Sequence, residues 1–583
     1  MDLSSNERLT GQVVEKYLIP SIFAQLGTKI SILIDALIIG NLLGGNGLAV
    51  ISIVAPIDLL FMSIGSLIGV GSSINSSLRL GEGDTESANA LYTLSVFAAI
   101  AFGIILSCGV FFAPFTATVL GAEGNVRNLA VTYLRCYIPC AVFVILTYIP
   151  LNYLKVIGKP KAAMGMLLIM GSVNTVLSLI LAGLCKLGIA GVAIGTSVSY
   201  AATFAYGQIM FNSANDRSVH LSKLSLSLKH IKNTFFSGTP SALNNVLRAV
   251  QTVFINRLFV SYGAAIFLPA YSLLNSVTGI INAVIFGVSQ TALPICGISY
   301  GERDFRTVKN VVKKITKTGS IIIACLAVLL ILCRGFIVDA FSLTFEERQS
   351  SKEAIIFLAL SVNFYLLNNI ASNFFTATKR PQLSLLIVTC RLIFFMIIPA
   401  YILFPIIHQY AVWTALILGE FLTIITIFIV AKIMRAKNPH IGSLLLDTTL
   451  LEGIKFIDFS VENTNESAVY ASQKIGDFCE ESGIMPKQTM AISLAIEEIV
   501  VLITNHATNS GKKELIDIRI IRTASGIIMR IRDGGNQFNP IEYNNLHGEE
   551  LESDALGIAM ITKITKKVEY NRTFGINNLI LEI

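Results

Sequence analysis

The sequence is poor in charged residues and in patterned cysteine. Asp, Glu, Lys and Arg make up 14% of its 583 residues, whereas soluble domains carry about 25%. The nine Cys include no C-x-x-C pair, so neither a disulfide framework nor a metal site is predicted. No G-x-x-x-x-G-K-[ST] loop occurs, so the sequence holds no P-loop ATPase motor. The composition also excludes a disordered or nucleic-acid-binding chain.

Apolar residues are abundant, and charge is unevenly distributed. Hydrophobic residues make up 53%, and the mean hydropathy is +0.69. The segment from residue 453 onward holds 13 basic and 18 acidic residues, which gives −5. The residues before it carry a net charge of +12, so the whole chain has a net charge of +7. The first part therefore suits a lipid bilayer and the second suits water, and we predict a membrane protein with an appended soluble domain.

Long apolar runs predict an all-α polytopic membrane protein with twelve transmembrane helices. Lys and Arg are concentrated in alternate loops, which places these loops and both termini in the cytoplasm of a bacterium, with the helices in its plasma membrane. The N-terminus lacks a signal-peptide pattern, so the first run is expected to remain a membrane helix. The predicted spans are 17–43, 49–78, 92–119, 130–153, 163–184, 188–212, 235–261, 265–298, 318–341, 354–376, 383–406 and 409–434.

An internal repeat divides these helices into two halves. Residues 20–21 and 240–241 both read Pro-Ser, and residues 81–84 and 301–304 both read G-E-x-D, at the same offset of 220. Six helices in each half keep both halves in one orientation, which is typical of transporters with the substrate site between the halves. We predict two six-helix lobes over residues 1–212 and 213–437, a linker over 438–452 and a soluble domain over 453–583.

Ionisable residues inside membrane helices are costly, so each is a functional hypothesis. Asp35 lies within SILIDALIIG and is interpreted as a cation or proton site; the alternative is a structural hydrogen bond or ion pair to another helix, for example to Arg248. Arg248 either neutralises a carboxylate or faces the cavity. Arg391 and Glu420 are expected to form a structural pair. Asn174 either lines a polar cavity or makes an interhelical hydrogen bond.

The membrane part combines the repeat with the runs IDALIIGNLLGGNGLAVISIVAPI, IGVGSSINSSLRLGEGDTESAN and LNYLKVIGKPKAAM. Through these features it resembles the MATE (multidrug and toxic compound extrusion) transporters. It implies export of small amphiphilic or cationic compounds in exchange for H⁺ or Na⁺. It also implies that Asp35 is the first-helix coupling carboxylate, that Pro20 breaks the first helix, and that Asn174 begins the fifth-helix motif. Ser178 stands where that motif has Asp, which leaves the coupling ion open.

The C-terminal segment predicts an α/β sandwich of about 130 residues, since β-branched and alternating runs flank helical ones. It resembles the GHKL ATP-binding fold, in particular anti-sigma-factor serine kinases, through D-x-G-x-x-F-x-P at residues 533–540. The resemblance implies that Asp533 contacts adenine, that Gly535 lets the backbone approach the base, and that Glu498 is the catalytic general base. It also implies bound Mg-ATP.

Two other GHKL motifs are altered in this sequence. Leu502 occupies the position of the magnesium-binding Asn, and Asn505, nearly one turn further on, replaces it poorly. Ala555 precedes Gly557 where the family has a Gly, which restricts the backbone that cradles phosphate. ATP binding and serine kinase activity therefore both remain open.

The leading hypothesis is a secondary-active exporter of a small molecule, embedded in the lipid bilayer, with a cytoplasmic regulatory domain. One alternative is a membrane-anchored sensor or serine kinase that regulates a signalling partner of the anti-anti-sigma type. Another is a flippase for lipid-linked saccharides, which would need cationic residues such as Arg248 and Arg391 in its cavity.

Overall fold

The structure is a computed structural model. It forms two compact units. One runs from Lys16 to Leu446, and the other comprises the residues from Asp447 to the C-terminus together with those before Lys16. In some helices the structure describes the backbone but not every side chain, and the side chain of Asp35 is among those left out. The residues described are 3–213, 219–223, 228–339, 345–447, 449, 455–507, 515–523, 526–547, 556–573 and 576–583.

The first half of the membrane unit consists of helices joined by short turns. Short 3₁₀ segments at Cys108–Phe112 and Ile138–Cys140 link helices within single spans. Its helices are α1 (Leu3–Gly81), α2 (Thr85–Ser107), α3 (Ala113–Val119), α4 (Gly124–Tyr137), α5 (Ala141–Val156), α6 (Pro160–Ser178) and α7 (Gly188–Asn212).

The second half repeats this arrangement. A 3₁₀ segment at Ala265–Phe267 precedes its second helix, and another follows the last helix at Ser443–Leu445. Its helices are α8 (Leu228–Ser261), α9 (Leu268–Ser289), α10 (Ala292–Gly301), α11 (Phe305–Asp339), α12 (Phe345–Ala377), α13 (Pro381–Thr389), α14 (Ile397–Ile407) and α15 (Tyr410–Lys437).

Ten of the twelve predicted spans coincide with helices that are long and apolar enough to cross a membrane, counted among the described residues. The other two correspond to the first part of α1, where many side chains are not described, and to α8. Helix α8 is less apolar because polar residues such as Asn244, Arg248 and Gln251 interrupt its apolar stretch.

Helix α1 contains the first two predicted spans in one helical run. The Tyr17 hydroxyl donates a hydrogen bond of 2.8 Å to the Lys155 carbonyl oxygen, and Lys155 lines a small cavity together with Ser73. A straight helix would separate residues 17 and 73 by roughly 84 Å at 1.5 Å per residue. The chain therefore reverses direction between them, as two antiparallel spans require.

The duplicated halves meet at equivalent residues. Gly81 and Gly301 are 220 residues apart, and a methyl group added to either would lie 3.0 Å from the Cα of the other. Residues related by a twofold axis touch only where they lie beside that axis, so the pseudo-twofold passes between them. Two loop positions repeat as well, since Gly83 and Arg303 have φ of 76° and 57°, and Gly158 and Lys379 have 83° and 61°.

The C-terminal unit is a five-stranded antiparallel sheet with helices packed on it. The strand order is β1-β2-β3-β5-β4. Its elements are β1 (Lys455–Glu462), α16 (Asn465–Glu481), α17 (Pro486–Leu502), β2 (Leu515–Thr523), β3 (Gly526–Asp533), α18 (Pro540–His547), α19 (Leu556–Ile564), β4 (Lys567–Thr573) and β5 (Ile576–Glu582). This architecture confirms the predicted α/β sandwich.

One further helix is apolar enough to span a membrane but belongs to this sandwich. It runs over Pro486–Ala507 and consists of α17 and a π-helical turn at Ile503–Ala507. Its residues Ile492, Ile496 and Ile499 are fully buried in the core against strand residues such as Ile518. Its hydropathy therefore reflects a packed α/β core rather than contact with lipid.

Candidate functional site

The predicted coupling region lies on α1. Pro20 is inside this helix and buried, where it removes a backbone hydrogen bond and favours a kink. Asp35 also lies on α1, but its side chain is outside the described part of the chain. Its role in ion coupling therefore remains a prediction.

Asn174 lies in a contact between α6 and α7. Its amide oxygen accepts hydrogen bonds from the Thr196 hydroxyl at 3.1 Å and the Ser178 hydroxyl at 3.5 Å. Ser178 is fully buried, and a methyl group on Gly195 would lie 3.1 Å from its hydroxyl oxygen. This geometry favours the interhelical hydrogen bond that the sequence left as an alternative for Asn174.

The second half contains a buried ion pair. The Arg391 guanidinium lies in a π-helical turn at Cys390–Phe394, 3.7 Å from the Glu420 carboxylate on α15, and the two side chains are 2% and 14% exposed. The Asn368 amide on α12 donates to that carboxylate at 2.7 Å and to the Glu420 carbonyl oxygen at 2.9 Å. The structural pair predicted for Arg391 and Glu420 is confirmed.

Tyr365 on α12 connects this pair to Arg248. Its ring centroid is 4.6 Å from the Arg391 guanidinium carbon and 5.4 Å from that of Arg248. Arg248 donates a hydrogen bond to the Tyr365 hydroxyl and a second one, at 3.3 Å, to the Asn244 amide oxygen. A guanidinium within about 6 Å of a ring centroid is attracted to the ring. Sequence reasoning missed Tyr365 and Asn368, because both are uncharged and neither belongs to a motif of the chain.

The two halves touch at the end that carries the G-E-x-D loops. Lys155 on α5 donates to the Gln290 amide oxygen beside α9 at 3.1 Å. Asn75 on α1 donates to the Ser237 hydroxyl on α8 at 3.2 Å. The Lys379 ammonium lies 2.6 Å from the Glu82 carboxylate. Three polar contacts from one half to the other therefore close this end of the membrane unit.

Close backbone crossings accompany these contacts. A methyl group on Gly238 would lie 1.9 Å from the Leu67 carbonyl oxygen, and one on Gly71 would lie 2.1 Å from the Thr234 carbonyl oxygen. Small residues allow membrane helices to approach this closely. The closed end thus depends on residues without side chains in α1 and α8.

The acidic residue of each G-E-x-D loop begins the next helix. Asp84 accepts a hydrogen bond from the Ser87 amide at 3.0 Å, and Asp304 accepts one from the Thr307 amide at 3.0 Å. Burial alone would raise the pKa of Asp84, but the Ser87 hydrogen bonds and the Arg79 charge hold its pKa below the usual value. Charged N-caps therefore explain why both halves retain the Asp of this motif.

In the C-terminal unit, Asp533 ends β3 at the predicted adenine position. It is 2% exposed, and its carboxylate accepts hydrogen bonds from the Gly535 amide at 3.0 Å and the Asn577 amide at 2.8 Å. Asn577 also donates to the Asn536 carbonyl oxygen at 2.7 Å and accepts from the Tyr570 hydroxyl at 2.9 Å. The loop is therefore held in place by β4 and β5.

Gly535 permits a tight loop beside the end of the α17 helix. A methyl group on it would lie 2.3 Å from the Ala507 carbonyl oxygen. Beside this contact, the His506 ring stacks on Phe538 at 5.2 Å and lies 4.4 Å from the Tyr543 ring. The loop and the rings therefore lie side by side, and aromatic rings of this kind can stack on a flat base.

The residues at the predicted magnesium and phosphate positions do not fit a magnesium ion. Leu502 packs on the hydrophobic core, and it has no oxygen ligand to offer. The Glu498 carboxylate accepts a hydrogen bond of 2.7 Å from the Ile558 amide at the start of α19. Asn505 is exposed in the π-helical turn. Gly557 lies in α19, while Ala555 is outside the described residues.

Comparisons with known proteins match both parts of the chain. The family described as MatE matches residues 20–180 and 240–402, and the Histidine kinase-like ATPase domain matches residues 461–583. Multidrug export protein MepA of Staphylococcus haemolyticus (strain JCSC1435) is 27% identical over 363 residues, which is 60% of this chain and 77% of that protein. MepA of Staphylococcus aureus (strain MRSA252) is 27% identical over 308 residues, 52% of this chain and 68% of that protein.

Solved structures share the fold of the membrane unit. The outward-facing conformation of a multidrug resistance MATE family transporter of the MOP superfamily aligns with a TM-score of 0.69 and 19% identity. The alignment covers 73% of this chain and 96% of that one.

Proposed function

Because this chain belongs to the MatE family of multidrug efflux transporters, we propose that it is a secondary-active antiporter exporting small amphiphilic compounds in exchange for H⁺ or Na⁺. The observation that carries the proposal is the contact between the duplicated halves at one end of the bundle. Alternating access requires such a contact to form and break around a central site. The closed end carries the basic loops, so we assign it, and both termini, to the cytoplasmic side.

The coupling step rests on Asp35. A carboxylate inside the membrane is favoured when it binds a proton or Na⁺, so ion binding at Asp35 changes the charge that the cavity presents to the substrate. We expect Asp35→Asn to abolish gradient-driven export while leaving the protein inserted. Asp339→Asn is the matched control, because Asp339 is 56% exposed at the end of α11.

The experiment compares these variants in inverted membrane vesicles. An imposed gradient of protons or Na⁺ drives uptake of a fluorescent amphiphile by the wild type, and immunoblotting checks the amount of protein inserted. Uptake by Asp35→Asn at the wild-type rate would remove Asp35 from the coupling step.

For the C-terminal unit we propose nucleotide sensing without phosphoryl transfer. The Asp533 loop supports adenine binding, whereas Leu502 and the hydrogen bond of Glu498 to α19 disfavour the kinase alternative. A bound nucleotide would shift the transporter between conformations only if its affinity differs between them. A protein of the anti-anti-sigma type is a second candidate ligand for the same unit.

A fluorescent ATP analogue tests this role on the purified full chain. We expect binding that does not depend on Mg²⁺ and that Asp533→Ala weakens by about tenfold or more, because a buried hydrogen bond to the base is lost. Asp477→Ala is the control, since Asp477 is exposed on α16. Strictly Mg²⁺-dependent binding, or transfer of phosphate to protein, would contradict the proposal and favour the kinase.

A further inference from the structure

The charged side chains inside the membrane unit are mostly positive. Arg391 is 3% exposed, Arg248 is half-buried on α8, and Lys29 is half-buried on α1. Contacts through Tyr365 and Glu420 join Arg248 and Arg391 in the second half. Lys29 of the first half lies near enough to Arg248 for the two positive charges to repel each other.

The positive charges in this region outnumber the negative ones. Glu420 is the carboxylate beside Arg391, and the hydrogen-bond partners of Arg248 are the neutral Tyr365 and Asn244. Among the described residues no carboxylate pairs with Lys29 or Arg248. Counting Asp35 with a full negative charge still leaves an excess of one positive charge.

An uncompensated guanidinium inside a membrane is costly, and arginine does not lose its proton in proteins. Its charge must be balanced by water or by an anionic ligand. The Arg391 Nε faces the Glu420 carboxylate at 3.7 Å, which is beyond hydrogen-bond distance, and it has no hydrogen-bond partner among the described residues. A guanidinium presents paired N–H groups that match a carboxylate or a phosphate, and Tyr365 supplies an aromatic surface for the apolar part of a ligand.

We infer that Arg248, with Lys29 and Arg391, forms a recognition site for the acidic group of an amphiphilic organic anion. This inference deepens the proposed export function by naming its substrate class, and it rests on that function only for the transport step. The site selects against permanent cations, since a positive ligand would add to the existing excess. Export of an anion is also favoured by an inside-negative membrane potential.

Binding to the purified full chain in detergent tests the inference without any gradient. The probes are fluorescein, an organic anion, and ethidium, a cation, followed by fluorescence anisotropy. We expect fluorescein to bind more tightly than ethidium. Arg248→Gln should weaken fluorescein binding by about tenfold or more, whereas Arg248→Lys should retain part of it. Arg257→Gln is the matched control on the same helix, because Arg257 is exposed.

Lys29→Gln is a second variant that keeps the test valid if Arg248→Gln does not fold, and it should weaken fluorescein binding in the same direction. Displacement of fluorescein by taurocholate would identify a soluble amphiphile as the source of the acidic group. Displacement only by short-chain phosphatidic acid would identify a lipid headgroup.

The inference is overturned if the wild type binds ethidium and not fluorescein, or if the Arg248→Gln and Arg257→Gln variants bind fluorescein equally well. Gradient-driven transport separates it from the proposed function. Ethidium export without fluorescein binding leaves the antiporter standing and removes the anion site. Fluorescein binding that depends on Arg248, without any gradient-driven export, supports the anion site and removes the antiporter.

Discussion

The contact between the two halves gives the sharpest prediction. In Gly238→Ala the new methyl group would lie 1.9 Å from the Leu67 carbonyl oxygen, whereas real contacts stay beyond 3.0 Å. Because the obstacle is backbone, α1 and α8 must separate by about 1 Å. Overpacking of this kind costs about 1–3 kcal/mol. The cost falls on the closed arrangement alone, so the equilibrium should shift toward opening at that end by about 5- to 150-fold.

Labelling of a cysteine beside the contact measures this shift. Ser73 is 5% exposed and lines the cavity at this end, so Ser73→Cys should react with a membrane-impermeant maleimide only after opening. The exposed native cysteines Cys108, Cys185 and Cys325 are first replaced by Ser. Gly335→Ala is the control, because a methyl group there meets nothing within 4 Å. Equal labelling rates in the Gly238→Ala and Gly335→Ala backgrounds would refute the reasoning.

Two further predictions concern the two units separately. Glu420→Gln leaves the buried Arg391 charge uncompensated and should lower stability by about 3 kcal/mol, whereas the double variant Arg391→Met with Glu420→Leu should lie within about 1 kcal/mol of wild type. Thermal unfolding in detergent measures both variants, and equal losses of stability would contradict a stabilising role of Glu420 for the Arg391 charge. Gly535→Ala should displace the Asp533 loop, since its methyl group would lie 2.3 Å from a carbonyl oxygen, and should weaken binding of the ATP analogue by about tenfold; unchanged affinity would argue against that loop as the adenine site.

The sequence predicted the features that depend on local pattern. Apolar runs and charged loops located the spans, and the offset of 220 residues located the duplication that Gly81 and Gly301 display at the pseudo-twofold axis. The pairing of Arg391 with Glu420 was also predictable, because ionisable residues inside membrane helices must find partners. The D-x-G-x-x-F-x-P motif likewise predicted the Asp533 loop without knowledge of the sheet.

The remaining site features depend on packing between distant helices. Tyr365 is a common residue in an apolar helix, and only the fold brings its ring close to the guanidinium groups of Arg248 and Arg391. Lys29 gave the same signal as Asp35, a charge within the first apolar run, but its importance becomes visible only beside Arg248. The hydrogen bond from the Ile558 amide to Glu498 joins residues 60 positions apart, which no spacing rule predicts.

The central claim is that ion gradients, and not nucleotide hydrolysis, drive export by this chain. The most direct measurement is transport by the purified full chain in liposomes without nucleotide, under imposed proton and Na⁺ gradients, with fluorescein and ethidium as alternative cargo. We expect cargo to move against its gradient and to stop when an ionophore dissipates the gradient of the driving ion. Transport that does not depend on either gradient and begins only when hydrolysable ATP is added would contradict ion-driven export.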